Sequence, residues 1–474
     1  MDSPWSTSER LQSAVLVLLG GLAAVAIAIG LGSGTPEGLL LPGVAAAILL
    51  FLATLARPHL GFNVLAASSI LLIVVTLPSQ KAVNAFDVLL WPVLGASLFG
   101  RAAARARDRA RVETGEAHDA IRARTRALSH AVIAFYSLAA ASIFVMALRG
   151  GLAEAVESGG QLVRALQAVT LFPAGLVLIE NRARLDALRR ALLAGGALFA
   201  IVNVIGIVSG TSVRGGVVWF ANEPGVAVAS PNEAGTTVVL LWAVIGAWHL
   251  MQPRAYKIVM LLVLTGVLVL SQSRSGLLAW GVFFLFSFRD LGRRALPVII
   301  LVVLLLPFVP QEYWGRMLRT LSQERGSSEL YSALVRVYSW HAAWQIFLAN
   351  PLFGVGYRAF AYVSHAYNPV GVVLHTAESL YMETAAGMGL AGLTLLGLVF
   401  VRMFQLASTI GRLSAPLSWG ATLARMQVPW IVAVLVASIT GDNLYGLVGL
   451  AQLALWTAML VRAGHLSVSG EAPA

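Results

Sequence analysis

The chain has 474 residues, 58% of them hydrophobic and 12% charged, with a net charge of +11. A soluble domain carries about twice that charged fraction, which excludes a water-soluble globular fold. The absence of cysteine removes disulfides, thiolate metal sites and a cysteine nucleophile. The basic residues sit mostly in short connections between apolar runs, not in a patch interleaved with aromatics. They read as topology signals with some attraction to membrane lipids, and no nucleic-acid partner is expected.

Met1 to Arg10 is polar and leads into Leu11–Leu31, read as a retained first span rather than a cleaved leader. Further spans are predicted over Leu39–Ala56, Leu60–Leu77 and Val88–Gly100. Residues 101–129 form a basic amphipathic segment on the cytoplasmic surface; Arg101 to Leu128 holds eight arginines and four acidic residues. Spans follow at Ala131–Leu148, Leu166–Glu180, Ala191–Ser209, Ala234–Met251, Ile258–Leu270, Leu277–Phe288 and Ala295–Val309. A large outer loop occupies residues 310–381, after which Met382–Val401 returns to a basic inner stretch, Arg402 to Arg425. Pro429–Ile439 and Leu444–Val461 make a last hairpin with Gly441-Asp442-Asn443 at its tip. The expected fold is all-α: one polytopic transmembrane domain over 1–474, of roughly 12–14 helices, with one large, mainly helical periplasmic loop. The basic connections alternate, which places both termini in the cytoplasm.

With that register, polar groups sort by face. Three arginines break the positive-inside trend: Arg214, Arg274 and Arg336. An arginine wedged between spans is costly unless it meets an anion or lines a wet cavity, and its donor fork fits phosphate oxygens. Arg274 lies in Ser271-Gln272-Ser273-Arg274-Ser275-Gly276, where a helix opening at Gly276 adds backbone donors. The set reads as a pyrophosphate cradle. His375 stands where the large loop re-enters the membrane, and a neutral imidazole suits removal of a proton from a sugar hydroxyl. Glu378, three residues on, shares a face with it if the segment is helical. Glu378 or Glu383 is the expected partner that orients the ring. His341 and His365 are weaker candidates, and the histidine spacing fits no metal site. Gly354 and Gly356 lack the lysine and the preceding strand of a phosphate loop.

Four pieces in order resemble the O-antigen ligase and Wzy-type polymerase superfamily: Pro231-Asn232, the Ser271–Gly276 turn, Arg336 and Trp340 followed by Asn350-Pro351-Leu352-Phe353-Gly354-Val355-Gly356, and His375 followed by Leu380-Tyr381-Met382-Glu383 and Gly387-Met388-Gly389. The resemblance implies an enzyme of the bacterial inner membrane with its active site facing the periplasm. It implies transfer of a glycan from undecaprenyl pyrophosphate to lipid A-core in the ligase branch, or to a second lipid-linked glycan in the polymerase branch. By the same resemblance His375 is the base, Arg274 and Arg214 bind the pyrophosphate, and no cofactor or metal is needed. Where relatives carry asparagine soon after the histidine, this chain has Thr376-Ala377-Glu378. The rival class, a lipid-linked oligosaccharide flippase or other transporter, calls for charges along a central path, whereas these arginines cluster at one face.

Overall fold

The structure is a computed structural model that describes residues 54, 57–71, 73–76, 82–84, 115–148, 151–208, 212–213, 216–219, 226–228, 231–270, 273–291, 328–368, 374–441 and 444–469. In chain order the elements are α1 (Pro58–Leu71), β1 (Ile73–Thr76), β2 (Ala82–Asn84), α2 (Glu116–Leu148), α3 (Leu152–Val169), α4 (Leu171–Leu178), α5 (Arg182–Val208), β3 (Ser212–Val213), β4 (Gly216–Trp219) and β5 (Val226–Val228). They continue with α6 (Pro231–Met251), α7 (Ala255–Leu270), α8 (Arg274–Leu291), α9 (Ser328–Ala349), α10 (Phe360–Val363), a 3-10 turn (Ser364–Tyr367), α11 (Leu380–Leu413), α12 (Trp419–Ala437) and α13 (Leu447–Val468). The chain is an all-α polytopic membrane protein in its body. Among the described residues five helices are long and apolar enough to span a bilayer: Glu116–Leu148, Leu152–Leu178, Leu380–Leu413, Trp419–Ala437 and Leu447–Val468. Spans predicted at 11–31, 39–56, 88–100 and 295–309 lie outside the described residues, apart from Thr54.

The chain divides into two compact units, one of residues 1–113 and 170–229, the other of 114–169 and 230–474. In the first, α1 packs along α5, and Gly195 lets the backbones close: a Cβ there would stand 2.7 Å from the Ala67 carbonyl oxygen. The span predicted at 60–77 is corrected, since its helix stops at Leu71 and Ile73–Thr76 turns into a strand. That β-branched run joins a small antiparallel sheet of order β2-β1-β5-β4-β3, with Val74 opposite Asn84 and Ala227.

The second unit is a helical bundle. The face α2 buries runs Ile121, Leu128, Ala131, Phe135, Ala139, Ser142, Met146, the three-and-four spacing of one helical stripe. Ile133, Phe144 and Leu148 stay exposed, as expected of a surface solvated by lipid. Residues 116–129 are the first turns of this same helix, continuous with the predicted span. α2 packs along α11, and α12 packs against α6, α8, α11 and α13. Buried polar groups pair inside the bundle: Gln452 Nε2 donates to Thr237 Oγ1 at 2.8 Å, and the Trp456 indole donates to Gln427 Oε1. In the tight turn after α6, the Lys257 ammonium donates to the Trp248 and Gln252 carbonyls, satisfying the end of that helix.

Two boundaries differ from expectation. The basic stretch 402–425 is no extended inner connection: α11 runs to Leu413 and α12 starts at Trp419, capped by Ser418, whose hydroxyl accepts the Ala421 amide. Pro429, expected to open a span, lies inside α12. Tertiary packing on both sides of α12 outweighs the one backbone bond the proline removes.

Candidate functional site

His375 sits on a short non-helical segment, residues 374–379, just before α11. Leu374 and Ala377, on either side of it, are buried in a cluster with Ala342, Ala343, Ile346, Phe360 and Ala386. These two anchors fix the backbone and leave His375 exposed between them. A carboxylate completes the support. Glu383, 2% exposed on the first turn of α11, accepts the Ala377 amide at 2.9 Å. It therefore shapes the loop that carries the histidine. The end of α12 pins the same region: Leu380 N–H donates to Ser438 O at 3.0 Å, and the Tyr381 hydroxyl to Leu435 O at 2.8 Å.

Glu378 does not share a helical face with His375, because helix begins only at Leu380 and Glu378 takes a left-handed φ of 52°. Its carboxylate instead lies 3.7 Å from Arg336 Nε on α9. Both side chains are partly exposed, so the pair contributes at most about 1 kcal/mol. Its consequence is positional: α9 and the histidine segment are held together at the surface.

The Asn350–Gly356 stretch has a backbone role. α11 is broken at Gly389, where φ is 62° and ψ −156°, so carbonyls before the break and amides after it lose their helical partners. The chain after α9 supplies them. Val355 and Gly356 donate to the carbonyls of Ala386 and Gly387 at 3.0 and 2.8 Å. Leu390 and Ala391 donate to those of Pro351 and Leu352 at 2.8 and 3.1 Å. This main-chain junction holds the large loop against α11.

Beside the junction lies a further group of polar and aromatic side chains. Tyr357 and Tyr445 lie ring to ring at 5.6 Å, and the Arg358 guanidinium stands 5.2 Å from the Tyr445 ring. Tyr445 OH and Thr384 Oγ1 are 2.7 Å apart. Burial raises the pKa of both phenols, so they stay neutral. Arg358 adopts a left-handed φ of 57°, uncommon for a non-glycine residue. Only its place after a Gly-rich turn hinted at it, and nothing local marks Tyr445. Tyr357 is 2% exposed and packs in a cluster with Phe135, Ala139, Leu162 and Met388. Tyr338 packs against the cluster around Leu374. His341 and His365 are both exposed.

Arg274 is the first residue of α8, two positions before the predicted helix start. Ser273 caps it, accepting the Gly276 amide at 3.0 Å, and the Arg274 side chain is exposed. A Cβ on Gly235 would stand 2.4 Å from Gly276 Cα, so the starts of α6 and α8 cross backbone to backbone. Thr237 joins the start of α6 to Gln452 near the start of α13. Tyr445, just before α13, joins Thr384 near the start of α11. Four helix N-termini therefore gather at one end of this unit, with Arg274 and the His375 segment among them. Helix N-termini carry partial positive charge and free amides, the polarity that receives anions. Arg214 lies outside the described residues.

The second unit is thus a multi-span helical bundle of a membrane protein, with helix N-termini gathered at one end, a polarity suited to anions. Residues 258–397 match the family model described as O-antigen ligase, so this stretch of the chain is similar to the O-antigen ligase and Wzy-type polymerase superfamily. The matched stretch contains Arg274, Arg336, His375, Glu378 and Glu383. The match supports ligase- or polymerase-like function in general terms. No curated protein is matched by the sequence.

Proposed function

We propose that this chain is a membrane glycosyltransferase that moves a glycan from undecaprenyl pyrophosphate to a sugar hydroxyl of lipid A-core at the periplasmic face of the inner membrane. The observation that supports it most is the common location of Arg274 and the His375 segment at the end of the bundle where helix N-termini gather. In a single inverting step the acceptor oxygen bonds to the anomeric carbon as the bond to the pyrophosphate oxygen breaks. The leaving undecaprenyl pyrophosphate keeps the electron pair. His375 takes the hydroxyl proton. Arg274, with Arg214, holds the pyrophosphate and stabilises the charge that grows on it. Glu383 and the Arg336–Glu378 pair act through the loop, keeping the histidine placed. The arginines supply the charge that a metal would supply elsewhere, so the reading calls for neither metal nor other cofactor. The same residues serve the second reading, a polymerase joining two lipid-linked repeat units, favoured by the shared family match.

Arg274→Ala is expected to raise the KM for the lipid-pyrophosphate donor by about 10- to 100-fold, the loss of a charge-assisted contact of about 1.5–3 kcal/mol. Steady-state kinetics in reconstituted membranes would measure it. An unchanged donor KM would remove the cradle assignment.

A further inference from the structure

The end of the bundle opposite His375 carries a second polar construction. Between α2 and α11 lies a cavity of about 530 Å³, lined by Ala120, Ala123, Ala127, Thr409 and Leu413 and flanked by Arg124 and Arg412. Arg124 and Arg402 both donate to Gln405 Oε1, at 3.4 and 2.8 Å, so one neutral side chain draws two guanidinium groups together. Arg412 donates to the Ser408 carbonyl in the last turn of α11. Among the described residues no carboxylate forms an ion pair with any of the three. Each guanidinium has five donors, so most remain available.

We infer that this groove is a binding site for one anionic phospholipid. Its phosphodiester meets Arg124, Arg402 and Arg412, and the first methylenes of an acyl chain cover the alanine floor. Charge complementarity selects this occupant. A soluble phosphate would leave the methyl-lined floor uncovered, and a zwitterionic lipid would return a cation to three arginines. Arginines at the membrane surface bind anionic headgroups, and their stems cover apolar surface. The inference does not depend on the glycan reaction.

Native mass spectrometry of the delipidated full chain, titrated with phosphatidylglycerol or with phosphatidylcholine, tests it. The wild type is expected to retain one phosphatidylglycerol in preference to phosphatidylcholine. In R124Q/R412Q that affinity should fall about thirtyfold, at roughly fivefold per arginine, while phosphatidylcholine retention stays the same. A123L fills the groove and keeps every charge, so it should also release the lipid. Monodisperse elution establishes that each variant is folded. Should either charge variant or filled groove retain phosphatidylglycerol as the wild type does, the site is wrong. Displacement of the lipid by inorganic phosphate alone would overturn the choice of occupant.

Discussion

His375→Ala is expected to lower glycan transfer by about 10²- to 10⁴-fold, the usual worth of a positioned general base, without unfolding the protein. The side chain is exposed, so its removal opens no cavity. The loop's own anchors are Leu374, Ala377 and the Ala377–Glu383 bond, and none involves the imidazole. Rate and thermal unfolding should therefore separate cleanly in this variant. A rate equal to wild type would remove the base assignment. A rate loss matched by a fall in melting temperature would show His375 to be structural.

The second large effect is expected on stability. A Cβ on Gly354 would lie 2.3 Å from the Gly387 carbonyl carbon, and one on Gly389 would lie 2.5 Å from that of Leu352. Both glycines have φ near 65°, where an L side chain is strained. Gly354→Ala and Gly389→Ala should each destabilise by about 2–5 kcal/mol, combining left-handed strain with overpacking against backbone that cannot move aside. Gly397, on the same helix, meets nothing within 4 Å. Gly397→Ala should stabilise by about 0.5–1 kcal/mol through helix propensity, making it an internal control. Thermal unfolding in detergent measures all three. Equal stability of Gly354→Ala and wild type would contradict the junction between the loop and α11.

Much of this architecture is legible in local sequence because it rests on local physics. Apolar runs of spanning length, the Pro231 helix start, the serine-rich turn before α8 and the helix end at Ala349 all follow from patterns within a few residues. The place of the histidine segment just before a long helix is legible, but its shape is not. Its non-helical backbone depends on Glu383 turning back to the Ala377 amide, and on α12 supplying acceptors to Leu380 and Tyr381. The glycines of Asn350–Gly356 and Gly387–Gly389 explain one another only when the two segments meet, so each alone reads as a turn or a packing motif. Tyr445 and Thr384 come together through helix packing, for which no local pattern exists. Pro429 misled because proline is a strong local stop signal, yet a helix packed on several sides can absorb it.

The most direct test of the central claim is transfer by the purified full chain in proteoliposomes, given undecaprenyl-pyrophosphate-linked glycan alone and then with lipid A-core. The account predicts no product from the donor alone. With the core present it predicts a core-linked glycan of inverted anomeric configuration and release of undecaprenyl pyrophosphate. Growth of longer lipid-linked glycan without the core, or a donor left intact with it, would contradict the account.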